Sequence, residues 1–268
     1  MTSSLHSLVT SAPSGRSRPV LLDHGDYATA VIRQGAAVPW ADLAALPGHF
    51  GQVHALVDPD ATWVDVGALY DAQLAADPTL VEAMGARSRT GYALRTLLGD
   101  DAGVERTTRT ASTLSDATRR PLVLALPSPA RWLTRAHATG ESPLDSVDEH
   151  GADSASMYLA EWIGRLGALP VALVLLDARP RDTDGKVEVD ETLAAYTAIA
   201  NVAAHFEWSL ALRHEAGIEV PAGEPVIGLV PEEFWLDATP APDGEVLLGT
   251  IPSAAEPEHV LERLALLR

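Results

Sequence analysis

The chain has no cysteine. That absence excludes disulfides, thiolate metal sites and cysteine nucleophiles. It suits a reducing compartment, so a cytoplasmic location is expected. No run of about 18 apolar residues occurs, which leaves no membrane-spanning helix to expect. Positive charge is scarce: 19 Lys and Arg stand against 37 Asp and Glu, for a formal net charge of −18. An acidic field repels phosphate backbones and anionic lipid, so neither nucleic acid nor a membrane surface is an expected partner. The glycine-rich phosphate loops GxGxxG and GxxxxGK[ST] are missing, as are the HxH and HExxH metal patterns. No cofactor is therefore expected.

What remains is a chain of 268 residues, 47% hydrophobic and 21% charged, long enough to bury a large core without covalent staples. Residues 1–18, "MTSSLHSLVTSAPSGRSR", are Ser-rich and carry Arg only late. They lack the basic start and apolar middle of a secretory leader, and a flexible tail is expected there. Residues 19–268 are expected to form one α/β domain.

The front of this domain reads as mostly helical. "PVLLD" (19–23) is a short first strand, and "HALVD" (54–58) is a second candidate. In "WADLAAL", Trp40, Leu43 and Leu46 share a helical face that Pro47 and Gly48 are expected to end. Asp77 followed by Pro78 is an N-cap with a first-turn proline. "GYALRTLLGDD" continues as helix to Gly99.

From Pro121 the pattern changes to continuous apolar runs separated by amphipathic segments. "PLVLAL", "PVALVLLDA", "WSLALRH", "PVIGLV" and "EVLLGTI" are uninterrupted rather than alternating. Strands buried on both faces of a parallel sheet read this way. Strand-helix alternation predicts an α/β fold, a TIM-like (β/α)8 barrel with a helical N-terminal section, with an open parallel α/β sheet as the alternative. Residues 137–154 are polar and irregular, which suggests a mobile loop or lid.

Ligands of parallel α/β folds bind beyond the carboxyl ends of the strands. Four of the five strong runs end in ionisable residues. Arg131 and Trp132 follow the first; Asp177 and Arg179 close the second. Arg213 and His214 close the third, and Glu232 and Trp235 follow the fourth. Arg131, Arg179 and Arg213 can form a fork for a carboxylate, with Trp132 and Trp235 as further substrate contacts. Asp177, His214 and Glu232 are the candidate catalytic acids and bases. Glu232 and Glu233 adjoin, and in a strand only one of them can face a ligand. "HGDY" (24–27) follows the first strand and can also border the site.

The helical front, the proline-terminated "PLVLALPSP" and the closing "LLGTIPSAAEPEHVLERL" resemble the barrel superfamily of uroporphyrinogen decarboxylase and cobalamin-independent methionine synthase. The resemblance spans about the last 150 residues and implies a barrel with its site at the strand ends. The methionine synthase branch activates a thiol on zinc held by His and Cys. Without Cys that chemistry is not available in its usual form. The decarboxylase branch has an arginine-rich substrate loop near its N-terminus, and "IRQGA" (32–36) echoes a few of its letters.

The expected function is a cofactor-independent lyase, decarboxylase-like, or a transferase acting on a small organic acid. Two alternatives stand beside it. One is a non-catalytic barrel subunit or small-molecule binding protein. The other is a divalent-metal hydrolase built on Asp177, His214 and Glu232. A homodimer is allowed by this size.

Overall fold

The computed structural model describes residues 4–167, 169–237 and 239–267. The chain begins with α1 (Leu5–Thr10), β1 (Val20–Asp23), α2 (Gly25–Val31) and α3 (Leu46–Val57). β2 (Thr62–Asp65) leads into α4 (Val66–Ala76), α5 (Pro78–Gly85), α6 (Tyr92–Gly99) and α7 (Asp101–Thr118). Then come β3 (Leu122–Pro127), α8 (Pro129–Thr139), the short β4 (Ser146–Val147), α9 (Glu149–Arg165), β5 (Val171–Asp177) and the short β6 (Lys186–Val187). The remaining elements are α10 (Thr197–His205), β7 (Ser209–Arg213), β8 (Ile218–Glu219), β9 (Ile227–Val230), α11 (Glu232–Leu236), β10 (Val246–Thr250) and α12 (Pro257–Ala265).

The fold is mixed α/β with predominantly parallel strands. One sheet has the order β1-β10-β9, another the order β2-β3-β5-β7-β8, and β4 pairs with β6. Every pairing is parallel except β7 with β8. The ladders do not form the continuous ring expected of an eight-stranded barrel, and the open parallel alternative is compatible with them. Two local features separate the sheets. β8 folds back antiparallel on the free edge of β7. Across the other gap, Asp60 takes the place of a strand ladder: its backbone N–H donates to Val20 O at 2.9 Å, and its carboxylate accepts from Val20 N at 2.8 Å.

The two sheets nevertheless share a buried cluster. Leu21, Trp63, Val123, Leu175, Ala211, Ile227 and Leu248 all belong to it. In β5, residues Val171 to Leu176 are all buried. Each such Val or Leu contributes roughly 1.5–3 kcal/mol of transfer free energy, which is why the uninterrupted apolar runs become central strands. Helices α8, α9 and α10 cover the outer face of these strands.

Several expectations are corrected. The segment expected to be a flexible tail contains α1, with Leu5 and Leu8 buried against the shared cluster. The Leu5 amide donates to Ser209 Oγ at 3.1 Å, at the amino end of β7. His54 to Val57 closes α3 rather than forming a strand, and Pro47 and Gly48 lie in the first turn of α3 instead of stopping a helix. A proline lacks only an N–H that the first turn leaves unpaired anyway. The irregular segment from 137 to 154 is not a lid: α8 runs to Thr139, β4 and β6 pair, and α9 starts at Glu149. Arg135 fastens the return chain by a bidentate pair with Asp184 at 2.7 and 2.9 Å.

Among the described residues no helix is long and apolar enough to cross a membrane.

Candidate functional site

Strand register brings polar residues together at the carboxyl ends. In the β5–β7 ladder Asp177 is opposite Arg213, and in the β1–β10 ladder Asp23 is opposite Thr250. Asp65 closes β2, and its carboxylate also caps α4 by accepting from Ala68 N at 2.9 Å. A cleft of about 610 Å³ opens over the ends of β7, β9 and β10. Arg179, Arg213, Glu215, Glu232, Glu233 and Thr250 line it. A second cleft of about 350 Å³ lies beside it, over the ends of β1 and β2, and the two share Asp26.

Arg213 is the least compensated group here. It is 5% exposed. Its Nη2 donates to Thr250 Oγ1 at 3.0 Å, and Thr250 Oγ1 donates to Asp23 Oδ2 at 3.3 Å. Its Nε and Nη1 meet no hydrogen-bond partner among the described residues. Burial, then the neighbouring Arg179, lower its proton affinity; Asp177 and Asp23 oppose that shift. A buried guanidinium with two unpaired donors is chemically suited to an anionic acceptor with two oxygens.

The carboxyl groups at these strand ends, Asp177 and Asp23 near Arg213 and Asp65 in the neighbouring cleft, are driven apart. Burial raises Asp177, but Arg179 outweighs it through a paired guanidinium, with contacts at 2.9 and 2.6 Å, and holds the group below the usual carboxylate range. Burial raises Asp23 above that range, against the pull of Arg213, Arg179, the Gly25 amide and Thr250. Asp65 is pushed up to about 6, chiefly by burial, with Asp23 and Asp71 adding and the Ala68 amide and Arg181 opposing. One acid held below the usual range and two held above it are a pattern that acid-base sites share.

The other expected site residues are placed differently. Arg131 belongs to a network under the cleft: its Nε donates to Ala178 O at 3.0 Å and lies 3.4 Å from Glu191, which also accepts from Ser128 and Tyr196. Trp132 packs edge-on against Tyr70 and Trp162, with centroids 5.5 and 5.9 Å away, inside the helical layer. Trp235 is fully buried behind β10, where a Cβ added to Gly249 would stand 2.9 Å from its ring. These two tryptophans lie within helices, so their positions follow helical periodicity and turn inward. His214 faces Glu219 at 3.9 Å across the β7–β8 turn, with 41% of its side chain exposed. Glu232 borders the larger cleft, as does Glu233. Both sit at the start of α11, so the alternation expected of a strand does not apply.

The proline-serine-proline break receives a local explanation. Pro127 ends β3, Ser128 accepts from Arg131 N as the N-cap of α8, and Pro129 occupies its first turn.

Asp23 and Asp65 were not among the expected site residues. Asp23 closes the first strand, a position the strand-end rule covers; Asp65 closes a strand not expected from the sequence. Among the described residues no group of three or more His, Asp or Glu side chains stands close enough to hold a metal ion, and Asp177, His214 and Glu232 form no such group. Comparison of the chain with protein-family models, with curated proteins and with solved structures finds no match.

Proposed function

We propose that the chain is a lyase acting on a small organic acid, with the substrate held at the carboxyl ends of the parallel strands. The observation that carries this reading is the buried Arg213 guanidinium, which lines the larger cleft with Nε and Nη1 unpaired among the described residues and with Asp23, an acid of raised proton affinity, acting on it. Asp65, pushed up to about 6, lines the neighbouring cleft. Arg213 binds one carboxylate, and Arg179, kept in place by Asp177, adds positive field from the side. The two sheets are read as arcs of one distorted (β/α) barrel. Their shared inner cluster and the convergence of their strand ends support that reading.

In the reaction the bond from a substrate carbon to a second carboxylate breaks. Its electron pair remains on that carbon, which takes the proton from the Asp65 carboxyl group, and carbon dioxide leaves. Solvent then restores the proton to Asp65. A carboxyl group near 6 exchanges protons at neutral pH more readily than an ordinary aspartate. This favours catalysis over binding alone, because a binding site needs Arg213 but not the raised acids.

Calorimetric titration with small mono- and dicarboxylates tests the reading. Saturable binding is expected, weakened at least tenfold in Arg213→Gln. Equal affinity in that variant removes Arg213 from the site and the proposal with it. Release of carbon dioxide from a bound dicarboxylate, lost in Asp65→Asn, separates the lyase from a binding protein.

A further inference from the structure

The smaller cleft contains two histidines that the proposed chemistry does not use. His24 and His49 are 3% and 5% exposed, and both line it. Neither ring nitrogen of either residue has a hydrogen-bond partner among the described residues. Burial holds both imidazoles neutral, His24 with a pKa near 3 and His49 below its ordinary value. A neutral imidazole has one donor and one acceptor, and four orphaned nitrogens at one wall are costly unless something supplies their partners.

Three aromatic rings, Trp40, Phe50 and Trp63, share the lining with Asp23, Asp26 and Asp65 and with small residues. Phe50 stands edge-on to His24, His49 and Trp40, with ring centroids at 5.6, 5.4 and 5.8 Å, and Trp63 closes the floor. Gly35, Ala37, Val38 and Trp40 of one loop also line the cleft, and Gly35 takes a φ of 92°, in the left-handed region that glycine enters without strain. A cavity of about 150 Å³ already admits benzene, so about 350 Å³ accommodates a substituted ring. Asp23 lines this cleft and is joined through Thr250 to Arg213 in the other.

We infer that the smaller cleft is a ring subsite, and that the ligand is an aromatic acid with a hydroxyl on its ring: the ring lies among Trp40, Phe50 and Trp63, the hydroxyl meets His24 and His49, and one carboxylate reaches Arg213. The inference rests on the proposed acid site. A hydroxyl both donates and accepts, which matches a pair of neutral imidazoles. A purely aliphatic acid would leave the aromatic wall and all four nitrogens unused.

The test uses the whole chain with acetate, benzoate, 4-hydroxybenzoate and phenol as probes, read by calorimetry and by the imidazole ¹⁵N resonances of His24 and His49. Benzoate is expected to bind at least tenfold tighter than acetate, and 4-hydroxybenzoate several-fold tighter again while moving both histidine resonances. His49→Leu is expected to erase the preference for the hydroxyl, so that benzoate and 4-hydroxybenzoate bind that variant alike. Because that measurement compares two ligands on one variant, and the resonances are read on the unaltered chain, a folding defect cannot imitate it. If acetate, benzoate and 4-hydroxybenzoate bind equally and Arg213→Gln weakens all three, the acid site stands and the ring subsite falls. If phenol moves the imidazole resonances and no acid binds, the acid site falls and the subsite stands alone as a ring pocket. If no probe binds or moves a resonance, both fall.

Discussion

Arg213 Nη2 stands 3.0 Å from Thr250 Oγ1, the guanidinium's one side-chain hydrogen-bond partner among the described residues. The bond crosses from one sheet to the other, because β7 and β10 belong to different ladders. It therefore ties the two sheets at their carboxyl ends, where Arg213 and Thr250 both line the larger cleft.

A charge so held is kept at the expense of stability. Arg213→Met replaces a buried cation of lowered proton affinity with an apolar chain of similar length. Desolvation is the largest influence on this charge, and burying a charge without a full set of partners costs free energy. Urea unfolding of the ligand-free variant is expected to show no loss of stability, alongside loss of carboxylate binding. A large loss would instead identify Arg213 as a structural cation.

Asp65 makes stability depend on pH in an unusual direction. Its folded value is about 6 and its ordinary value 3.8, so the folded state binds the proton more tightly. Its contribution is fully present below about pH 4 and is lost as pH rises through about 6, amounting to a penalty on the order of 3 kcal/mol at pH 7. Asp65→Asn keeps an oxygen for the Ala68 amide but cannot ionise. The variant is expected to be more stable than the parent at pH 7 and equal to it at pH 4. Parallel unfolding curves at both values check the sign.

Arg131 separates structure from function. Removing it leaves Glu191, 7% exposed, without its guanidinium. Breaking a buried pair from one side costs about 3–5 kcal/mol. Arg131→Ala is therefore expected to lower the denaturation midpoint sharply, while carboxylate affinity at a temperature where the variant stays folded is unchanged. A tenfold loss of affinity without loss of stability would return Arg131 to the site.

Gly249→Ala tests the packing behind β10. The new methyl would stand 2.9 Å from Trp235 Cζ2 and 3.2 Å from Val230 Cβ. Overpacking of this kind costs about 1–3 kcal/mol. Calorimetric unfolding should show the loss, and pairing the change with Trp235→Phe, which shortens the ring, should recover part of it.

The later strands were legible because they are long apolar runs in a chain that is otherwise punctuated by charge and proline. β2 was not, since "TWVD" has four residues and lies beside the equally apolar "HALV", which ends a helix. Asp65 was hidden with it. α1 was masked by serines, although Leu5 and Leu8 are spaced to share a helical face. Trp132 and Trp235 were drawn toward the site by their nearness to strand ends. One turn of helix was enough to carry both into the core. Which strand-end charge stays unpaired could not be read from composition. Arg131 and Arg213 look alike in sequence and differ only in what the fold sets beside them.

The side-chain Nε–H resonance of Arg213 offers the most direct measurement. In the account given, titration with benzoate shifts that resonance saturably, with the same dissociation constant that calorimetry reports. If benzoate binds and the Arg213 resonance does not move, the carboxylate is held elsewhere and the account is contradicted.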